Sequence, residues 1–135
     1  MKILATILLV SLQLAAQGPV KWEHSLDAAM KRAKAEHKVI FVDVWTEWCG
    51  WCIKLQKDTF PSGEASAALA GVVPLSLKTQ LKDGTPTEHA YAQKKFEVEG
   101  FPCLLVIDAD GHVLGRNSGY LPPREFANFI NKYRK

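Results

Sequence analysis

The chain has 135 residues, of which 47% are hydrophobic, and its 17 Lys+Arg against 14 Asp+Glu give a formal net charge of +3. That length suits one domain with a real core and leaves no comfortable room for two. The basic residues are spread along the chain with no arginine-rich block or interleaved aromatic stripe, so no nucleic-acid partner is expected.

The N-terminus reads as a secretory signal. Met1-Lys2 is a short positive start, Ile3 to Ala16 is apolar apart from Thr6, Ser11 and Gln13, and the small residues Ala15, Ala16 and Gly18 close the stretch. We expect a signal peptide over 1–18 and one domain over 19–135. The apolar run covers about 14 residues, below the roughly 20 of a membrane-spanning helix, and it holds no cysteine for a lipid anchor. The expected product is therefore secreted or periplasmic, with no stable membrane insertion after cleavage.

Ser25 is placed to cap a helix whose apolar positions Leu26, Ala29, Met30 and Ala33 follow the i, i+3, i+4, i+7 pattern. Lys38 to Trp45 is short and rich in Val, Ile and Phe, the pattern of a strand buried on both faces. A helix is predicted from Cys49 to about Phe60, stopped near Pro61. A short helical or irregular piece follows near Gly63 to Ala70, then a buried strand over Val72 to Leu77 and a turn at Lys82-Asp83-Gly84. Thr85-Pro86-Thr87-Glu88 combines a capping box with proline at the first helical position, which predicts a helix running to about Phe96. Cys103 to Ile107 is a third strand, Asp110-Gly111 a hairpin turn, and His112 to Arg116 a fourth strand. Pro122-Pro123 introduces a last helix with Phe126, Phe129, Ile130 and Tyr133 on one face. Strands that alternate with helices and end in a hairpin imply an α/β fold: a central mixed sheet with helices on both faces.

The chemistry is concentrated in Trp48-Cys49-Gly50-Trp51-Cys52. If a helix starts at the first cysteine, the two sulfurs lie side by side on its first turn and can close a disulfide or act as a dithiol. The positive helix end and its free N–H groups then favour a thiolate at Cys49, lowering a thiol pKa from about 8.5 to roughly 3.5–7.5 in such motifs. Cys52, one turn in, is expected to be less exposed and to act second. An inert staple and half of a zinc site are the alternatives. A zinc site needs about four ligands, and beyond this pair the chain offers the lone Cys103 and the scattered His24, His37, His89 and His112. An exported scaffold held by staples also tends to carry an even and larger cysteine count than three.

With that order of elements, the residues Asp43-x-Trp45-x-x-Trp48-Cys49-Gly50-x-Cys52, Phe101-Pro102 before a strand, and Gly119-Tyr120 before the last helix resemble the thioredoxin superfamily. Within it the chain is most similar to exported members such as the C-terminal domain of bacterial membrane thiol:disulfide interchange proteins. The resemblance implies a thioredoxin-like fold with catalytic Cys49 and Cys52 as a redox-active disulfide. Asp43 would be the proton acceptor for Cys52, since a buried carboxyl has a raised pKa and takes a proton near neutrality. Pro102 would be a cis-proline that leaves the Phe101 backbone free to pair with an extended substrate and keeps a metal off the cysteine pair. Trp48, Gly50, Trp51, Phe101 and Pro102 are the expected substrate-binding residues, with Trp45 structural.

Two departures lie between the cysteines, and the second of them bears on direction. The family commonly has Gly-Pro between its cysteines, where this chain has Gly50-Trp51, and its strong oxidants commonly place His before the second cysteine, where this chain has Trp51. Absence of that His points to a more reducing couple. Cys103 stands where the family often has Thr; the expectation is a small buried strand residue, and if it faced Cys49 it could form a wrong disulfide or part of a metal site. The function expected is a protein-disulfide reductase, monomeric, without organic cofactor or metal, regenerated by a membrane or exported thiol donor. A thiol oxidase or isomerase using the same residues, and a non-catalytic binding module on the same fold, are the rivals.

Overall fold

The computed structural model describes residues 19–134. The expected signal peptide, 1–18, lies outside the described residues. Helix α1 (Leu26–Glu36) leads to β1 (Ile40–Thr46), then α2 (Gly50–Lys54), which runs without a break into a π-helical turn (Leu55–Thr59). There follow α3 (Gly63–Leu69), β2 (Val73–Gln80), α4 (Tyr91–Lys95), β3 (Cys103–Ile107), β4 (Val113–Ser118) and α5 (Pro123–Tyr133). The strands form one sheet in the order β2-β1-β3-β4. β1 is parallel to β2 and antiparallel to β3, and β3 is antiparallel to β4. This is the mixed sheet expected.

Alternation along the strands divides the core into two layers. On one face Val42, Val44, Leu75, Cys103 and Leu105 meet Ala29 and Ala33 of α1 and Ala92 and Phe96 around α4. On the other Phe41, Leu104 and Val106 meet Leu55, Ala65, Leu69, Phe126 and Ile130 from the remaining helices. β1 is central and buried throughout except at Trp45, which explains its nearly unbroken apolar composition. Ser25 caps α1 by accepting a hydrogen bond from the Ala28 N–H, and His37 ends it in a left-handed conformation at φ 54°.

Local signals failed in three places. The helix expected from Thr85 opens only at Tyr91. The turn at residues 82–84 folds the chain back onto β2 instead: Gln80 and Pro86 form an isolated antiparallel bridge, and the Thr87 N–H donates to the Thr79 carbonyl at 3.0 Å. Thr87 Oγ1 donates to the Lys78 carbonyl and accepts from the His89 N–H, so the hydroxyl suited to a helix start serves the strand edge. The helix after Cys49 reaches its stop at Pro61 as expected, yet its second half is π-helical, with the Phe60 N–H bonded to the Leu55 carbonyl at 3.0 Å. The wider turn lets Thr59 donate to the Leu121 carbonyl at 2.7 Å, tying this helix to the entry of α5. β4 ends at Ser118, two residues beyond its expected range, and residues 108–112 form a tight turn around Asp108.

Close packing on the outer strand rests on Gly115. A Cβ there would run into the Tyr133 ring, which lies across the strand from the end of α5. Gly115→Val is expected to cost about 1–2 kcal/mol through forced displacement of that ring, read as a lower urea midpoint with unchanged slope.

Candidate active site

The end of β1 delivers the cysteines. After Thr46 the chain turns through Glu47, whose N–H donates to the Gln80 carbonyl at 3.1 Å, and Cys49, whose N–H donates to the Thr46 carbonyl at 3.4 Å. Cys49 is in extended conformation at the N-cap of α2, and its sulfur accepts the Cys52 N–H at 3.1 Å. Cys49 and Cys52 are joined in a disulfide with Cα atoms 5.2 Å apart. A cap is ordinarily an oxygen; here the sulfur takes that place, so a thiolate at Cys49 would receive an oriented donor and the positive helix end. Cys49 keeps 5% of its surface accessible and Cys52 none, which makes one sulfur the point of contact and the other its internal partner.

Aromatic side chains wall the pair. Trp48 and Trp51 are 50% and 60% exposed although both are large and apolar. Trp48 meets Phe101 edge-on at 5.7 Å and is anchored by its Nε1 donating to Gln80 Oε1 at 2.8 Å. Trp51 leans on Tyr120 at 5.6 Å, and the Lys54 ammonium lies 5.6 Å from the same tyrosine ring. The Phe101-Pro102 peptide is cis. The Pro102 carbonyl accepts the Gly119 N–H at 2.9 Å, and Gly119 at φ 107° supplies the left-handed turn that brings Tyr120 across to Trp51. Thus Trp48, Cys49, Gly50, Trp51, Cys52, Phe101 and Pro102 are drawn to one end of the sheet, braced by Gln80 and Tyr120 from other stretches of chain.

Asp43 lies behind them. It shares its sheet face with Phe41, whose neighbours include Leu55 of the helix that begins at the cysteines. Its side chain is 1% exposed, and Oδ1 has no hydrogen-bond partner among the described residues. Burial pushes its pKa up to about 8. The Oγ of Ser76, the partner of Asp43 across the strand pair, accepts the Trp45 Nε1–H at 2.8 Å. Trp45 is thereby fixed in the structure.

Cys103 belongs to the layer formed with α1 and α4, away from the face that carries Asp43 and α2. The condition for a wrong disulfide or a shared metal site, that it face Cys49, is not met. Arg116 Nη1 is 3.4 Å from its sulfur, and burial holds the thiol pKa above its ordinary value. Among the described residues the one group of three ligands close enough to share an ion is Asp108, Asp110 and His112 in the turn before β4, remote in sequence from the cysteine pair.

A family model described as a thioredoxin-like domain matches residues 26–134. The chain belongs to this thioredoxin-like family. Its relatives include a thiol:disulfide interchange protein DsbD of Pseudoalteromonas atlantica, 30% identical over 110 residues, a match covering 80% of this chain and 18% of that protein. A disulfide bond reductase DsbH of Chlamydia pneumoniae is 32% identical over 108 residues, covering 75% of this chain and 64% of that one. The chain thus spans less than a fifth of the DsbD protein it matches. Among solved structures, the oxidised C-terminal domain of Neisseria meningitidis DsbD superposes with a TM-score of 0.67 at 25% identity, covering 81% of this chain and 93% of that domain. Among the described residues no helix is long and apolar enough to cross a membrane.

Four residues of this thioredoxin-like site lie beyond what sequence reasoning assigns to it. Tyr120 enters the family resemblance, but nothing local announces its contact with Trp51, and Gln80 lies at the far end of a strand that runs three residues past its expected end. Trp22 and Ser76, which border Asp43, carry no local signal. Trp22 is held there because Glu23 adds a single parallel bridge beside Leu75 at the β2 edge.

Proposed function

We propose that this thioredoxin-like domain acts in the periplasm or outside the cell as a thiol:disulfide oxidoreductase that reduces protein disulfides, with a membrane or exported thiol protein as its electron donor. The observation that carries the reading is a single accessible sulfur capping a helix, with a second sulfur one turn behind it and a buried carboxyl on the face beneath that helix, one of its oxygens without a partner among the described residues.

In this reading the Cys49 thiolate attacks one sulfur of a substrate disulfide. The substrate S–S bond breaks, a mixed disulfide forms, and the first substrate thiolate leaves. Cys52 passes its proton to the Asp43 carboxylate and attacks the Cys49 sulfur, releasing the second substrate thiolate. Two electrons move from the domain to the substrate, and the Cys49–Cys52 disulfide remains. A carboxyl that ionises at about 8 is a base far better matched to a thiol than an ordinary carboxylate. Phe101 and Pro102 offer backbone for an extended substrate segment, and Trp48 and Trp51 offer apolar contact on either side of Cys49. The domain works as a monomer in this scheme.

The experiment that tests the direction is equilibration of the mature protein with glutathione redox buffers. A potential near about −270 mV supports a reductase fed by a dedicated donor, and one near about −120 mV reverses the proposal to an oxidant of exported thiols. The role of the aromatic walls is tested separately. Trp51→Ala is expected to raise KM for a protein disulfide about three- to tenfold with kcat nearly unchanged, while leaving reduction of a small disulfide such as oxidised glutathione unaffected.

A further inference from the structure

A cavity of about 530 Å³ opens on the flank of the domain behind the redox centre. None of Trp48, Cys49, Trp51, Cys52, Phe101 and Pro102 lines it. Its walls include Trp22, Trp45, Phe60 and Pro61, with Asp43 among the lining residues. Trp22 and Phe60 touch with ring centroids 5.0 Å apart and make a continuous aromatic surface. That volume is in the range that holds a small organic ligand, about 300–1,000 Å³.

We infer that this cavity is a binding site for a small aryl-alkyl ammonium ion, its N–H groups directed at the Asp43 carboxyl and its apolar body laid against Trp22, Phe60 and Pro61.

The chemistry of the lining selects that class. The carboxyl is buried, and Oδ1 has no partner among the described residues. Among those residues no lysine or arginine lines the cavity, and His24 is the one basic side chain there. Gln56, Ser66 and Ser76 also line the cavity, yet none of them donates to Oδ1, so an ionised Asp43 lacks a donor at that atom and a counter-charge, and burial of an unmatched group of this kind is costly. A primary ammonium supplies both at once. A quaternary ammonium has the charge without the N–H, an alcohol has a donor without the charge, and a carboxylate ligand is repelled. The aromatic faces add their own attraction for a cation. Binding as such does not depend on the function proposed above. Its consequence does: if Asp43 takes the proton of Cys52, an ammonium that holds Asp43 as a salt-bridged carboxylate makes it a weaker base and slows disulfide reduction.

The test is calorimetric titration of the oxidised protein near the pH at which Asp43 ionises, about 8, with 2-phenylethylamine and, as the neutral isostere, 2-phenylethanol. The amine is expected to bind at least tenfold more tightly. Asp43→Asn should erase that preference, and Ser66→Phe, which puts bulk into the lining from α3, should remove binding of the amine. Equal binding of the two probes by the wild type, a preference that survives Asp43→Asn, or no amine binding up to about 1 mM each overturns the inference. These outcomes are read as heat of binding without turnover, so failure here leaves the redox reading intact, and loss of the redox reading leaves the binding result standing.

Discussion

Cys52→Ser is expected to convert the domain into a trap that accumulates mixed disulfides with its substrates, whereas Cys49→Ser should trap nothing and lose turnover. The asymmetry follows from the site. Cys49 holds the accessible sulfur at the helix cap, and Cys52 is sealed beneath it. With Cys52 replaced, Cys49 still attacks, but no internal thiol remains to resolve the adduct. Turnover of a protein disulfide should fall on the order of a thousandfold or more in either variant, as when one member of a covalent catalytic unit is removed. The measurement is non-reducing electrophoresis of each variant, first reduced and freed of reductant, after incubation with insulin, with a thiol added afterwards to release captured chains. Failure of Cys52→Ser to form thiol-sensitive adducts, or capture by Cys49→Ser, would remove the proposed mechanism. A non-catalytic binding module would instead keep its activity without Cys49.

Asp43→Asn is expected to make the domain more stable and slower. Its carboxyl has an ordinary pKa of 3.8 when hydrated, as in the unfolded chain, and about 8 in the fold. Between those values the unfolded chain has lost the proton and the folded chain keeps it, so the folded state binds more protons and stability falls as pH rises. The loss accumulates from about pH 4 and levels off above pH 8. Each pH unit between the two pKa values costs about 1.36 kcal/mol, so the penalty at alkaline pH is on the order of 3–6 kcal/mol. Asparagine carries no such penalty, so the variant's stability should be nearly flat over that window and exceed wild type most above pH 8. Urea denaturation of the oxidised proteins at several pH values measures this directly. Resolution of the mixed disulfide should meanwhile slow by about 10²-fold or more, the scale of losing a positioned base. A wild-type stability that does not fall from pH 4 to 8 would show that Asp43 titrates as an ordinary carboxyl.

Much of this site is legible in the chain because its signals are local. One turn of helix is enough to bring Cys49 and Cys52 together, and the strand before them declares itself by its dense run of apolar residues. Asp43 is different: an acid in that run also fits a satisfied structural group at the strand's end, and its place in the site comes from the family resemblance. The capping box at Thr85 misleads for the opposite reason. Its residues are good helix starters, yet Thr87 bonds the open edge of β2, with Pro86 opposite Gln80, rather than beginning a helix. The π-helical turn is equally invisible, since it is tied to Thr59 finding the Leu121 carbonyl 62 residues away in sequence.

The redox pair, its helix and the alternation of strands and helices can be read from the order of residues, and the resemblance to the thioredoxin superfamily adds Trp48, Phe101 and Pro102 to the same site. Three features could not be known before the chain was folded: Cys103 faces the other layer, Tyr120 and Gln80 brace the two tryptophans, and Trp22 lines an open cavity beside Asp43. The division has one physical cause. Periodicity and capping act within a turn or two of chain, whereas the face a residue turns to and the partner it meets are set by sheet register and layer packing, which join segments that no local pattern connects.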